Sequence, residues 1–135
     1  MRRSHTILVS INHPYEATYR YLAEPRNYGE WAAVDKHSYR PLENGDWEGM
    51  TKVGGMRHFR FTPVNPFGVL DHAMFVPGDE LLWTPMRVMR NQEGTELSFT
   101  FYQRPGMDDE AFASAIEWIT TDFLALKALL ESRRR

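Results

Sequence analysis

A chain of 135 residues with 42% hydrophobic and 25% charged residues has the size and balance of one globular domain, long enough to bury a core and too apolar to stay disordered. Its net charge of -2 offers no basic field for nucleic acid or an anionic membrane, and the absence of cysteine excludes disulfides, thiolate catalysis and Cys-based zinc sites. "MRRSHTILVSINHP" begins basic, but its apolar stretch is too short and interrupted for a signal peptide. Nothing downstream approaches a membrane span, so a single cytoplasmic domain over 1–135 is expected.

Residues 4 to 11 alternate, placing Ile7, Val9 and Ile11 on one face of a strand. Pro14 suits a first helical turn, Glu16 favours its positive end and Pro25 stops the run, so 14 to 23 reads as a short helix. "PRNYGEWA" reads as a second helical turn anchored by Trp31. From 34 to 104 the pattern is strands separated by turn chemistry, "ENGD", "VGG", "NPFG", "PGDE" and "NQEG", which gives about six consecutive antiparallel strands. Residues 108 to 131 form a long helix whose stripe of Phe112, Ile116, Ile119, Phe123, Leu126 and Leu130 needs an apolar partner, and only the sheet is large enough. The final basic run, Arg133 to Arg135, reads as a solvated tail complementing a helix C-terminus.

Hairpin loops fix register, so turn lengths predict which side chains share a face. Four-residue loops at 77 to 80 and 91 to 94 put Asp71, Ala73 and Phe75 with Leu82, Thr84, Met86 and Val88, and with Leu97, Phe99 and Phe101. That face is apolar, so Asp71 is expected to point inward and His72 outward. A tight Gly54-Gly55 turn puts Trp47, Thr51, Val53, Met56, His58, Arg60 and Thr62 on one face. If the "NPFG" connection holds an even number of residues, this set joins the concave side and Arg60 comes opposite Asp71, giving a buried carboxylate the partner it requires.

The order of elements, "ATYRYLAEPRNYGEWA" after the first strand and the closing helix "DDEAFASAIEWITTDFLALKALLE" resemble the START/polyketide-cyclase-like superfamily, also called SRPBCC or helix-grip proteins. "NPFGVLDH", "PMRV" and "FTFYQRPGMDDEAF" resemble an uncharacterised bacterial subgroup of it. The resemblance spans essentially the whole chain. It implies an α+β helix-grip fold: a curved antiparallel sheet of about seven strands wrapped around the C-terminal helix, with two short helices after strand 1. The superfamily includes lipid carriers, hormone receptors, polyketide cyclases, Rieske oxygenase domains and chaperone activators. Without cysteines or a two-His-one-carboxylate spacing the oxygenase branch is disfavoured, and no catalytic residue carries over.

The candidate ligand contacts are Trp47, Thr51, Arg60, Asp71, Phe75, Thr84, Met86, Phe99, Phe101 and Phe123, with Asp71 and His58 as candidate proton-transfer groups. Arg60 is read as a fork for a ligand carboxylate or phenolate. Each has a plainer alternative: an ion pair for Asp71, a solvated surface for Arg60, and core packing for the threonines and aromatic residues. His72, Trp83, Arg87 and Tyr102 on the convex face fit a homodimer interface. The five histidines include no HxH or HxxxH pair, so neither metal nor cofactor is expected. The leading expectation is a binding protein for a hydrophobic, aromatic or lipid-like molecule between sheet and helix. A cyclase or dehydratase using Asp71 or His58 is the first alternative, and an interaction module with a collapsed cavity the second.

Overall fold

The computed structural model describes residues 1–52 and 54–133. The expected facing of Val53 and the tail role of Arg134 and Arg135 lie outside the described residues. Strand β1 (Ser4–Ile11) is followed by helix α1 (Tyr15–Ala23), a 3-10 turn (Pro25–Asn27) and helix α2 (Tyr28–Trp31). Then come β2 (Arg40–Pro41), β3 (Trp47–Thr51), β4 (Gly55–Phe61), β5 (His72–Phe75), β6 (Trp83–Thr84), β7 (Met86–Asn91) and β8 (Gly94–Tyr102), and finally helix α3 (Asp109–Ser132). Among the described residues, no helix is long and apolar enough to cross a membrane.

The strands form two antiparallel sheets, ordered β1-β8-β7 and β2-β3-β4-β5-β6. Pro85, which lacks an N–H to continue a ladder, separates β6 from β7, while its carbonyl accepts a 3.0 Å bond from the Thr100 amide. Further bonds cross between the sheets: Leu70 N–H reaches Met86 O at 2.8 Å, and Val88 N–H reaches Gly68 O at 3.0 Å. The two ladders therefore act as one curved layer. The loop before Gly68 is tied by Asn65, whose Oδ1 accepts from the Phe67 and Val69 amides at 3.0 and 3.1 Å.

Helix α3 begins at Asp108, whose carboxylate accepts from the Ala111 amide at 2.8 Å, and Asp109 and Glu110 complement its positive end. Its buried side chains Phe112, Ala115, Phe123, Leu126 and Leu130 lie against Ile7, Val9 and Ile11 of β1, Val88 of β7 and Leu97, Phe99 and Phe101 of β8. Ile116 and Ile119 of the same stripe are partly buried at its edge. A second cluster, Val34, Trp47 and Phe59, packs with Tyr28, Tyr39, Phe61 and Met74. Arg133 is less free than a solvated tail: its guanidinium lies 3.8 Å from Glu30 and 5.2 Å from the Tyr21 ring centroid.

Two strands face the opposite way from the sequence-based expectation. Thr51 pairs with Gly55 and Trp47 with Phe59, an odd connection where an even one was expected. Arg57, Phe59 and Phe61 therefore share the inner side with Trp47 and Thr51, while His58 and Arg60 face out. Across the 76–82 loop, His72 pairs with Thr84 and Ala73 with Trp83, again changing the parity and reversing β5. The β4–β5 register does follow the even case, with Arg60 opposite Ala73, but the side those residues share is the outer one. Met86, Val88, Leu97, Phe99 and Phe101 face inward, as expected: Asn91 pairs with Gly94, so the loop is two residues and not the four expected, which leaves the parity unchanged.

Candidate functional site

Between the sheets and α3 lies a cavity of about 530 Å³. Tyr28, Trp31, Ala32 and Ala33 come from α2 and the segment behind it, Thr51, Arg57 and Phe59 from β3 and β4, and His72, Met74 and Thr84 from β5 and β6. Phe99 and Phe101 of β8, the Arg104–Met107 loop, and Ala111, Ala115, Trp118, Ile119, Asp122 and Phe123 from the helix side complete the wall. Aromatic rings dominate, with Phe123 against Trp31 and Phe99 at centroid distances of 5.2 and 4.9 Å. Small residues at 32, 33, 111 and 115 leave the space that these large ones enclose.

Of the sequence-predicted contacts, Thr51, Thr84, Phe99, Phe101 and Phe123 line this cavity, and Trp47 and Met86 are buried in the packing around it. Asp71, Arg60, Phe75 and His58 are elsewhere, because β4 and the 71–75 segment present them to the outer face. Asp71 accepts from Arg87 Nε and a terminal Arg87 nitrogen, both at 3.0 Å, and from the Met86 amide at 2.8 Å. Burial would raise its pKa, but the Arg87 hydrogen bonds, the Met86 amide and the Arg87 charge together hold it below the usual carboxylate range. Arg60 does not reach Asp71. It makes a two-pronged pair with buried Asp46, at 2.9 Å for each bond, and covers the Phe75 ring at 5.4 Å. His58 Nε2 lies 3.7 Å from Glu48 on the same outer side. The convex group expected to form an interface is also altered: Trp83, Arg87 and Tyr102 are exposed, and His72 is not.

His72 takes the inward place expected for Asp71. A neutral imidazole enters an aromatic cavity at far lower cost than a carboxylate. Its ring lies 5.6 to 6.0 Å from those of Tyr28, Phe61 and Phe99, and Nδ1 is 3.2 Å from Leu70 O. Burial pushes its pKa down, outweighing the Leu70 carbonyl and the Asp71 charge. Sequence reasoning also missed Tyr28, Arg57, Arg104, Trp118 and Asp122 as cavity residues. A signal was present for Trp118 and Asp122, which stand one turn apart on the long helix beside the apolar stripe. Burial raises the pKa of Asp122, partly offset by Lys52, and raises that of the Tyr28 phenol.

No family model matches the chain, nor does any curated protein sequence. Solved structures match it over nearly its full length. Protein MLL2253 from Mesorhizobium loti superposes with a TM-score of 0.71 at 20% identity, over 98% of this chain and 100% of that one. A START superfamily protein from Mycobacterium smegmatis gives a TM-score of 0.67 at 11% identity, over 99% and 100%. The chain has the START-type helix-grip fold. The Aha1 dimer from Colwellia psychrerythraea shares this START-type architecture, with a TM-score of 0.71 at 16% identity over 96% of each chain. At such identities the likeness shows the fold, and the chemistry rests on the side chains that line this helix-grip cavity.

Two expectations follow from the inversion of β5. Asp71→Asn keeps one oxygen for the Met86 amide and Arg87 Nε, and removes the charge and the second acceptor that serves the terminal nitrogen of half-exposed Arg87. It should cost about 1 kcal/mol in thermal unfolding, since the pair is partly solvent-exposed. For His72 the sign runs the other way from that of a stabilising cation. Unfolded histidine takes up a proton near pH 6.5, whereas folded His72 stays neutral to lower pH, so the unfolded state binds more protons in that window. Stability should fall as pH drops from about 7.5 to about 5.5, and His72→Phe, which keeps a ring among rings, should lose less Tm over that interval than the wild type.

Proposed function

We propose that the protein binds a small, mainly apolar molecule, aromatic or lipid-like, in the cavity between sheet and α3. The observation that carries this reading is the partly open pocket of about 530 Å³ walled by Phe59, Phe99, Phe101, Phe123, Trp31 and Trp118. Ligand sites of drug-sized molecules span about 300 to 1,000 Å³ and combine such apolar walls with a few polar groups. A collapsed interior serving only protein contacts is disfavoured by the same volume.

An enzymatic role of the cyclase or dehydratase type draws support from the titratable lining residues His72, Asp122 and Tyr28. Among the described residues, however, no hydrogen bond joins two of them, and His72 Nδ1 is turned to the Leu70 carbonyl. Proton transfer requires a base within reach of its partner and substrate, so binding is the better supported reading.

Native mass spectrometry of the purified protein tests for a retained ligand. In parallel, N-phenyl-1-naphthylamine should bind the wild type and not Ala115→Phe, which projects a ring from the helix into the space. Equal binding by a correctly folded Ala115→Phe protein would place the probe elsewhere and remove the main support for an internal site.

A further inference from the structure

Exposed arginines of this fold either stand in water, as Arg2, Arg20 and Arg26 do, or find carboxylates: Arg3 with Asp109, Arg40 with Glu48, Arg60 with Asp46, Arg87 with Asp71 and Arg90 with Glu16. The two arginines lining the cavity do not. Arg104 and Arg57 are both half-buried, and neither makes an ion pair among the described residues. Among the described residues, Arg57 donates only to its neighbour's carbonyl, Met56 O, at 3.0 Å. Arg104 also lines the outer groove that carries Arg2, so three guanidinium groups gather where the cavity meets the surface. Burial first, and then the charges of Arg2 and Arg57, destabilise the Arg104 cation, and only Tyr28 opposes them.

An unpaired, partly desolvated guanidinium beside two others is costly, and a buried charge without a partner calls for one. Asp122 is the one carboxylate in the cavity lining among the described residues. It stands on α3, its charge answered by Lys52 and not by either arginine. His72 is neutral, so the lining carries a net positive charge even with Asp122 ionised. The planar fork of arginine matches a carboxylate in two parallel hydrogen bonds, whereas an uncharged amide or alcohol satisfies neither the charge nor the geometry.

We infer that the ligand of this cavity is an organic acid, an apolar, aromatic-sized body whose carboxylate is received by Arg104 with Arg57 beside it. The apolar part occupies the space between Phe99, Phe101, Phe123 and Trp118, and the acid group points to the Arg104 end. This deepens the binding reading above and rests on it.

The experiment compares 1-naphthaleneacetate with 1-naphthaleneacetamide, equal in shape and different in charge, by titration calorimetry on the intact protein. The acid should bind at least about tenfold tighter than the amide, since a charge-assisted pair is among the stronger single interactions. Arg104→Gln should bring the acid-to-amide ratio close to one, Arg104→Lys should retain part of it, and Arg57→Gln should lower it by a smaller factor. If Arg104→Gln does not fold, Arg57→Gln and the loss of the ratio at high salt decide. Equal affinity of acid and amide for the wild type, or a ratio insensitive to both Gln variants, would overturn the inference while leaving apolar binding in place. Failure of the two compounds and of N-phenyl-1-naphthylamine alike would overturn the binding reading as well.

Discussion

Leu126→Ala should lower folding stability by about 3 to 4 kcal/mol, a fall in Tm of roughly 10 to 15 °C for a domain of this size. Leu126 has no solvent exposure and sits on the face of α3 that meets the sheet. Truncation removes a fully buried isobutyl group and leaves a hole that the closely packed Ile, Leu and Phe side chains around it cannot close. Leu126 does not line the cavity between sheet and helix, so the loss reads the grip of the sheet on the helix and not the cavity wall. Leu124, 56% exposed on the same helix, is the control: its change to Ala should stay within about 0.5 kcal/mol. Chemical unfolding of both variants by circular dichroism checks the difference, and equal effects would mean that α3 is not held through this face.

Gly68→Ala should lower stability by about 2 to 4 kcal/mol, from two sources that act together. The backbone at Gly68 has φ +70, where a side chain is disfavoured, and an added Cβ would lie 2.4 Å from Val88 O and 2.7 Å from the Tyr15 hydroxyl. Val88 O belongs to the backbone and cannot swing aside. Its residue is the one whose amide bonds Gly68 O, so relieving the clash loosens the join between the two sheets. Gly78 separates strain from clash. It has φ +93 with nothing within 4 Å of an added Cβ, so Gly78→Ala should cost only the conformational part, about 1 kcal/mol. A Gly68→Ala effect no larger than that of Gly78→Ala would show that the join is compliant.

The cavity was legible in the sequence where loop chemistry was simple. The even-numbered turn expected within 91 to 94 placed Met86, Phe99 and Phe101 on the inner side, where they lie, and the helix stripe did the same for Phe123. Asp71 and His72 were read in the wrong sense for a physical reason. Strand β5 buries both of its sides: His72 is 6% exposed toward the cavity, while Ala73 and Phe75 are 0% and 9% exposed beneath the outer cover of Arg60 and His58. With apolar residues required on both sides, alternation carries no information about which side is the interior. The rule that a buried carboxylate needs a cation was sound; the carboxylate that is buried is Asp46, and Arg60 serves it there.

The sequence by itself determined the element order, the long amphipathic helix and hence the helix-grip class, because periods of 2 and 3.6 and the turn residues act locally. It also determined which side chains within one strand lie on the same side. Only the tertiary structure decided which side is the interior. That choice depends on whether the connections at 52–54 and 74–82 contain odd or even numbers of residues between paired ends, and one residue of difference turns a whole strand over. The same choice sent His72, Arg57 and Phe59 into the cavity and Asp71, Arg60 and His58 to the surface, where charges find water and partners at least cost.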